Sequence, residues 1–404
     1  MAHSCPRCGS LSPCDKAYCP LRSREFAIKT FSKNIVDGNF EGSSPTVFVG
    51  EYGYPKVNVG IMSPSYVADD SWLFDAPRYW GGNAFEIDRV ISLRSQLINS
   101  RFTSDIRQSD KLLELSREIG MASKPVDVEV SLKENPKFNI NFSSMMAPSG
   151  PSVSLNKAEL TSNPHIDTRV DRIVSDTDFK AKDAMSELYS KGFDESFITK
   201  ILSIGNLGVK SDRILVPTKW SITAVDDTVG KQIITEIKDY KESDCMAFFN
   251  GYLGNYYLVL FFSDVWSYEL FEGRLNKNNS PINFSTDYEP YKGRTDYAQN
   301  CVGGYYAARL PIIEKLKEIK RQASVLVVRL ISDEYYCPLG VWVVRESVRK
   351  TINTKPIIFS DKDLMLGYAK KLIKKRFSYD LSYVLDKSTL IEHIKKQAKL
   401  SAYL

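Results

Sequence analysis

Between Val126 and Leu132 apolar and polar residues alternate strictly. Val126, Val128, Val130 and Leu132 fall on one side, the two-residue period of a half-buried strand. Thr46 to Val49 and Val57 to Ile61 predict two more short strands after the break at Ser43-Ser44-Pro45. Tyr256 to Phe262 is apolar throughout until Ser263 and Asp264 stop it, the pattern of a strand covered on both faces. Other stretches follow a helical period. Leu21, Phe26, Ile28, Phe31 and Ile35 form an imperfect stripe over 21–36. Ile87, Val90, Ile91 and Leu97 predict a helix over 85–97, and Leu112, Leu113, Leu115 and Ile119 one over 105–119.

Residues 133–156 are rich in Pro, Asn and Gly and predict a long loop. Ile214 to Pro217 and Trp220 to Ile222 flank Thr218-Lys219. Val229 to Ile237 then predicts a helix whose first turn carries Asp226 and Asp227, where acid groups suit the helix dipole. Residues 276–294 read as a boundary or a surface excursion. Beyond them Gly304 to Ile319 predicts a helix. Ser324 to Ile331 and Val341 to Val344 predict strands, with Cys337-Pro338-Leu339-Gly340 turning between them. Asp363 to Phe377 predicts a helix with Lys370, Lys371, Lys374 and Lys375 on its polar face, and Thr389 to Lys396 predicts the last one. Strands and helices mix without a doubly wound signature, so the expected class is mixed α+β.

A chain of 404 residues can bury a sizeable core and suggests two or three structural units. Its 43% hydrophobic and 12% aromatic content excludes a mostly disordered protein. Fifty-four basic against 49 acidic residues give a charge of +5, too mild to imply nucleic acid without local clustering. Neither a secretory signal nor an apolar run of membrane-spanning length is evident, which predicts a soluble cytoplasmic protein.

Cys5, Cys8, Cys14 and Cys19 crowd one short segment, while Cys245, Cys301 and Cys337 are scattered and read as small buried hydrophobes. Four thiolates spaced C-x2-C-x5-C-x4-C, with Pro6, Gly9 and Pro13 turning the chain, predict one structural zinc ion held tetrahedrally. An iron–sulfur cluster is the chemical alternative. No organic cofactor is expected. Arg7, Lys16, Arg22 and Arg24 beside the cysteines are candidate phosphate contacts; the plainer reading is a metal that only fastens the beginning of the chain to the body.

The last eight residues, Gln397 to Leu404, follow Q-x-x-L-x-x-aromatic-hydrophobic. Leu400 and Tyr403 share a side of one helical turn, Leu404 joins them, and Gln397 offers a directional amide. The cysteine cluster, VPTKWSITAVDD at Val216–Asp227, GGYYAARLPIIEKL at Gly303–Leu316 and the terminal QAKLSAYL together resemble the archaeal Nre family of DNA-repair proteins. The resemblance implies a role in DNA-damage repair and docking of a PCNA-type sliding clamp through the terminal peptide. Contact with DNA and other repair proteins, with recruitment to the nucleoid, goes with it. It also implies a division into a four-cysteine zinc element at 1–24, an N-terminal mixed α/β region at 25–284, a C-terminal α+β region at 285–390 and the clamp peptide at 397–404. One departure is Leu404, where such peptides often carry a second aromatic residue.

The alternative is a metal-dependent nucleotide- or DNA-processing enzyme built on Asp226 and Asp227, aided by Asp212, Glu236 or Asp264. Against it, neighbours on a helix do not point together, and an acidic helix cap explains the pair. Lys219, Trp220 and Arg309 are further candidates for contact with phosphate or a base. His3, His165 and His393 are too dispersed for acid–base chemistry.

Overall fold

This computed structural model describes residues 5, 8–10, 12, 14, 19–137, 149–275 and 282–396, apart from the side chains of Arg24 and Ser32. The class is mixed α+β, and the described residues form two six-stranded sheets. The chain divides into two compact units, residues 1–229 with 336–340 and residues 230–335 with 341–404.

In the first unit the order is α1 (Pro20–Asn34), β1 (Asn39–Ser44), β2 (Thr46–Val49), β3 (Lys56–Ser63), α2 (Pro77–Gly82) and α3 (Ile87–Arg94). There follow β4 (Ile98–Asp105), α4 (Lys111–Met121), β5 (Val126–Leu132), β6 (Ser152–Leu160), α5 (Thr168–Ser175), α6 (Ala181–Ser190), α7 (Glu195–Ser203) and the start of α8 (Thr218–Ile237). The sheet runs β1-β5-β6-β4-β3-β2, antiparallel except between β4 and β6. Val126, Val128 and Val130 enter its core with Val57, Val59 and Ile61, as the alternation requires. Burying each such side chain contributes about 1.5–3 kcal/mol. Several boundaries differ from the sequence expectation. The helix read from residue 105 starts at Lys111, because Asp110 accepts the Leu113 N–H at 2.9 Å and caps it while β4 runs on to Asp105. The long loop read over 133–156 ends early, with β6 beginning at Ser152.

The second unit contains β7 (Cys245–Tyr252), β8 (Asn255–Phe262), β9 (Ser267–Arg274), β10 (Phe284–Glu289), α9 (Val302–Glu318) and β11 (Ser324–Ile331). After them come α10 (Trp342–Ile352), β12 (Ile357–Phe359), α11 (Lys362–Phe377), α12 (Ser382–Lys387) and α13 (Thr389–Lys396). Its sheet is ordered β10-β9-β11-β8-β7-β12, and only β9 and β11 are parallel. β8 lies inside it, which is why its sequence is apolar without alternation. Leu258, Leu260 and Phe262 face Met365, Ala369 and Ile373 of α11 and Leu390 of α13, whereas α9 and α10 pack on the strands as well. The expected strand at 341–344 is the first turn of α10, where Trp342, Val343 and Val344 are all buried. The excursion at 276–294 includes β10, an edge strand of this sheet.

Candidate nucleic-acid interface

The four cysteines lie together at the start of α1. Cys5 and Cys19 are buried with Leu21, Cys14 packs against them, and Cys8 is exposed. Cys19 is the N-cap of α1 and Pro20 its first residue, where a missing N–H costs nothing. The Cys8 thiol is hydrogen-bonded with those of Cys5 and Cys14, and the Cys19 thiol with that of Cys14. The Ser10 backbone N–H, followed by the Cys5 thiol, holds the pKa of Cys8 below the usual thiol range. For Cys19 burial is the largest influence and opposes ionisation. Hydrogen bonds with the Arg22 backbone, the Cys14 backbone and side chain and the Leu21 backbone act the other way, and the pKa is lowered. Among the described residues, no group of three or more His, Cys, Asp or Glu side chains is placed to hold a metal ion. The thiols are neighbours joined by hydrogen bonds. Arg22 is exposed on α1; Arg7 and Lys16 lie outside the described residues, as does the side chain of Arg24. Cys245, Cys301 and Cys337 are buried, as expected.

The PTKW segment has a different place from the one its sequence indicated. α8 begins at Thr218, so Asp226 and Asp227 sit in the middle of a 20-residue helix and not in its first turn. Asp226 is buried and Asp227 half-buried. Three consecutive residues of the true first turn instead grip the β2–β3 hairpin. Val49 N–H, on the open edge of β2, donates to Thr218 Oγ1 at 2.9 Å. Lys219 Nζ reaches Glu51 at 3.1 Å, and the Trp220 ring lies 5.3 Å from that of Tyr54 at an interplanar angle of 45°. Both rings are nearly half exposed, and Tyr52 at the hairpin tip is 81% exposed. The sequence marked Trp220 and Lys219 but not the tyrosines. The Gly-Glu-Tyr-Gly-Tyr-Pro run at 50–55, a turn between two strands with rings nothing need cover, carried that signal.

Arg309 is not at a surface. It is 1% exposed on α9 and forms an ion pair with Glu289 of β10, itself 1% exposed. Glu289 also accepts from Tyr305 Oη at 3.0 Å and Trp266 Nε1 at 3.2 Å. A guanidinium so enclosed meets an internal carboxylate and no phosphate, and the GGYYAARLPIIEKL motif is to that extent a packing motif.

On α11, Asp361 caps the start by accepting the Leu364 N–H at 2.9 Å, and Ser378 ends the helix in the left-handed conformation. Lys370, Lys371, Lys374, Lys375 and Arg376 are all exposed. Lys370/Lys374 and Lys371/Lys375 are like-charge pairs at i,i+4, which disfavour a helix. Among the described residues none of these four lysines has a salt-bridge partner. The clamp residues Gln397, Leu400, Tyr403 and Leu404 lie outside the described residues, directly after α13. Among the described residues no helix is long and apolar enough to cross a membrane.

Family models for the N-terminal and C-terminal regions of archaeal Nre match residues 13–278 and 289–403. The chain belongs to the archaeal Nre family. The gap between the two Nre matches, residues 279–288, takes in most of β10, whereas the compact units divide within α8. The first match takes in Cys14 and Cys19 but not Cys5 and Cys8. Nre relatives run over nearly the same length. DNA repair protein NreA of Archaeoglobus fulgidus is 37% identical over 383 residues, 92% of this chain and 94% of the relative. DNA repair protein NreB of the same organism is 36% identical over 395 residues, covering 96% and 97%. DNA repair protein NreA of Haloferax volcanii is 37% identical over 349 residues, 83% of each chain. No solved structure matches the chain significantly.

Proposed function

We propose that this Nre protein is a DNA-repair factor that docks a PCNA-type sliding clamp through residues 397–404 and touches DNA with its folded body. The observation that carries the reading is likeness over almost the whole chain to proteins named for DNA repair. The terminal pattern supplies the clamp contact. Gln397 offers the polar hook, and Leu400, Tyr403 and Leu404 the compact apolar turn. The lysines of α11 supply sequence-independent phosphate contacts, and other repair proteins are recruited on the same clamp.

Calorimetry with an archaeal clamp tests it. Deleting 397–404 is expected to abolish most binding and leave the body folded, and a peptide of those residues to compete with the full chain. Leu400→Ala and Tyr403→Ala are expected to weaken binding more than Lys399→Ala, since buried anchors dominate interfaces. Undiminished binding by the truncated chain refutes the tail assignment.

The spacing C-x2-C-x5-C-x4-C is the ground for proposing one structural zinc ion on Cys5, Cys8, Cys14 and Cys19, although the four thiols are not placed as a metal site in this structure. Cys5, Cys14 and Cys19 pack in one small cluster, and the lowered pKa values of Cys8 and Cys19 support the thiolate form that zinc binds. The ion would supply a closed tetrahedral staple, with no open position for chemistry. Elemental analysis of reduced, folded protein is expected to give about one zinc per chain; its absence would remove the metal from this account. Hydrolytic chemistry at Asp226 and Asp227 has no comparable support.

A further inference from the structure

The three α8 contacts with the β2–β3 hairpin leave a surface that hairpin packing alone does not explain. Had Trp220 and Tyr54 served only to hold the hairpin, the two rings would gain most by turning their faces inward. They remain 46% and 45% exposed, and Tyr52 makes no ring contact among the described residues. The sheet beside them is open as well. Phe48, Gly60 and Arg101 align across β2, β3 and β4, and Asn58 pairs with Thr103 in the next outward row. Phe48 is 43% exposed, and Arg101 and Lys56 are exposed. Gly60 lies between Phe48 and Arg101, and the Asn99 side chain occupies the space over it. A Cβ there would lie 1.8 Å from Asn99 Oδ1, so a side chain at this position would have to displace that of Asn99.

The surface therefore combines aromatic posts, a hydrophilic floor of Asn58 and Thr103, and cations at its margin. Among the described residues Arg101 has no salt bridge, Lys56 stands opposite Asp105 in the β3–β4 register without closing an ion pair, and Lys219 is 75% exposed despite its contact with Glu51. An apolar groove for a peptide would have the opposite composition. Ring faces accept bases only when these are unstacked and unpaired, and every base has such a face.

We propose that Tyr52, Tyr54 and Trp220 form a stacking platform for single-stranded DNA, with Lys56, Arg101 and Lys219 on its phosphates. This rests on the reading that the protein contacts DNA, and it names the form of DNA that this surface takes. Duplex DNA, with its bases already stacked, gains only the phosphate contacts here.

The test is fluorescence anisotropy with the full chain, a labelled thymidine oligonucleotide and a duplex of equal length, across a salt series. Tyr52→Ala and Trp220→Ala are each expected to weaken single-strand binding at least about fivefold. Duplex binding should change less than twofold, and the salt slope should stay the same because no charge is removed. Tyr52→Ala guards against misfolding, since so exposed a ring leaves the melting temperature unchanged. Equal loss for both DNA forms, or no loss for either, overturns the platform. If the platform variants match wild type while neutralising the α11 lysines weakens both forms, DNA contact stands and only the platform falls. If the unaltered chain binds neither form at low salt, both readings fall.

Discussion

Two charged residues, half-buried Lys200 and buried Glu289, show how single residues in this protein respond to their surroundings. Lys200 of α7 donates to Ala122 O at 2.9 Å and Pro45 O at 3.5 Å. Burial pushes its pKa down to about 8, against the pull of Asp75 and Asp194. The unfolded chain therefore binds more protons than the folded one between about pH 8 and the ordinary lysine value near 10.5. Folding stability should rise with pH across that window, with the penalty full below it and absent above it. Denaturant titrations of wild type and Lys200→Met, taken at several pH values, should show the rise only in wild type. Parallel curves would mean the ammonium is better solvated than its position indicates. Glu289 makes the second case. Its removal leaves Arg309 charged and enclosed, so Glu289→Ala is expected to cost about 3–5 kcal/mol in unfolding free energy. A loss below about 1 kcal/mol would mean that water reaches the pair.

At the scale of elements, α11 carries more positive charge than its architecture needs. Lys374, Lys375 and Arg376 occupy the last turn, where cations complement the helix dipole. That explanation does not reach Lys370 and Lys371, a turn earlier and facing their like at i+4. Replacing Lys370, Lys371, Lys374 and Lys375 by Gln should leave stability unchanged or slightly raised. The slope of log K against log salt for duplex DNA should fall by up to about 0.9 for each phosphate the lysines no longer neutralise. An unchanged slope would show that the stripe meets solvent alone. Among elements, legibility followed burial. Val126–Leu132 has one wet face and one dry face, so its period was visible, and β8 gave itself away by lacking one. α10 and the first half of α8 escaped for the converse reason. With Trp342, Val343 and Val344 all buried, consecutive apolar positions carry no helical stripe to read.

For the whole molecule, the class, the cysteine cluster and the lysine stripe were legible in sequence, because each depends on local pattern. What was not legible depends on long-range pairing. Nothing near Arg309 in sequence announces Glu289, twenty residues earlier on another element. Nothing near Trp220 announces Tyr54, brought from the far end of the same unit. Arg309 was thus read as a ligand contact when it is interior, and the hairpin tyrosines were passed over.

One carboxylate gives the end of the chain a mechanical character. Glu269, from the middle of β9, accepts the Ser388 hydroxyl, the Thr389 N–H at 3.1 Å and the Leu390 N–H at 3.0 Å. Burial raises its pKa, and these three donors offset part of that effect. It therefore nails the first turn of α13 to the second sheet, and Leu390 and Ile391 seat the helix below it. Eight helical residues span about 12 Å, and residue 397 follows at once. In the proposed docking, a clamp that takes residues 397–404 would meet a chain already fixed to the second sheet through α13, immediately before the docking peptide. The same docking would raise the local concentration of the second unit beside the DNA that threads the ring.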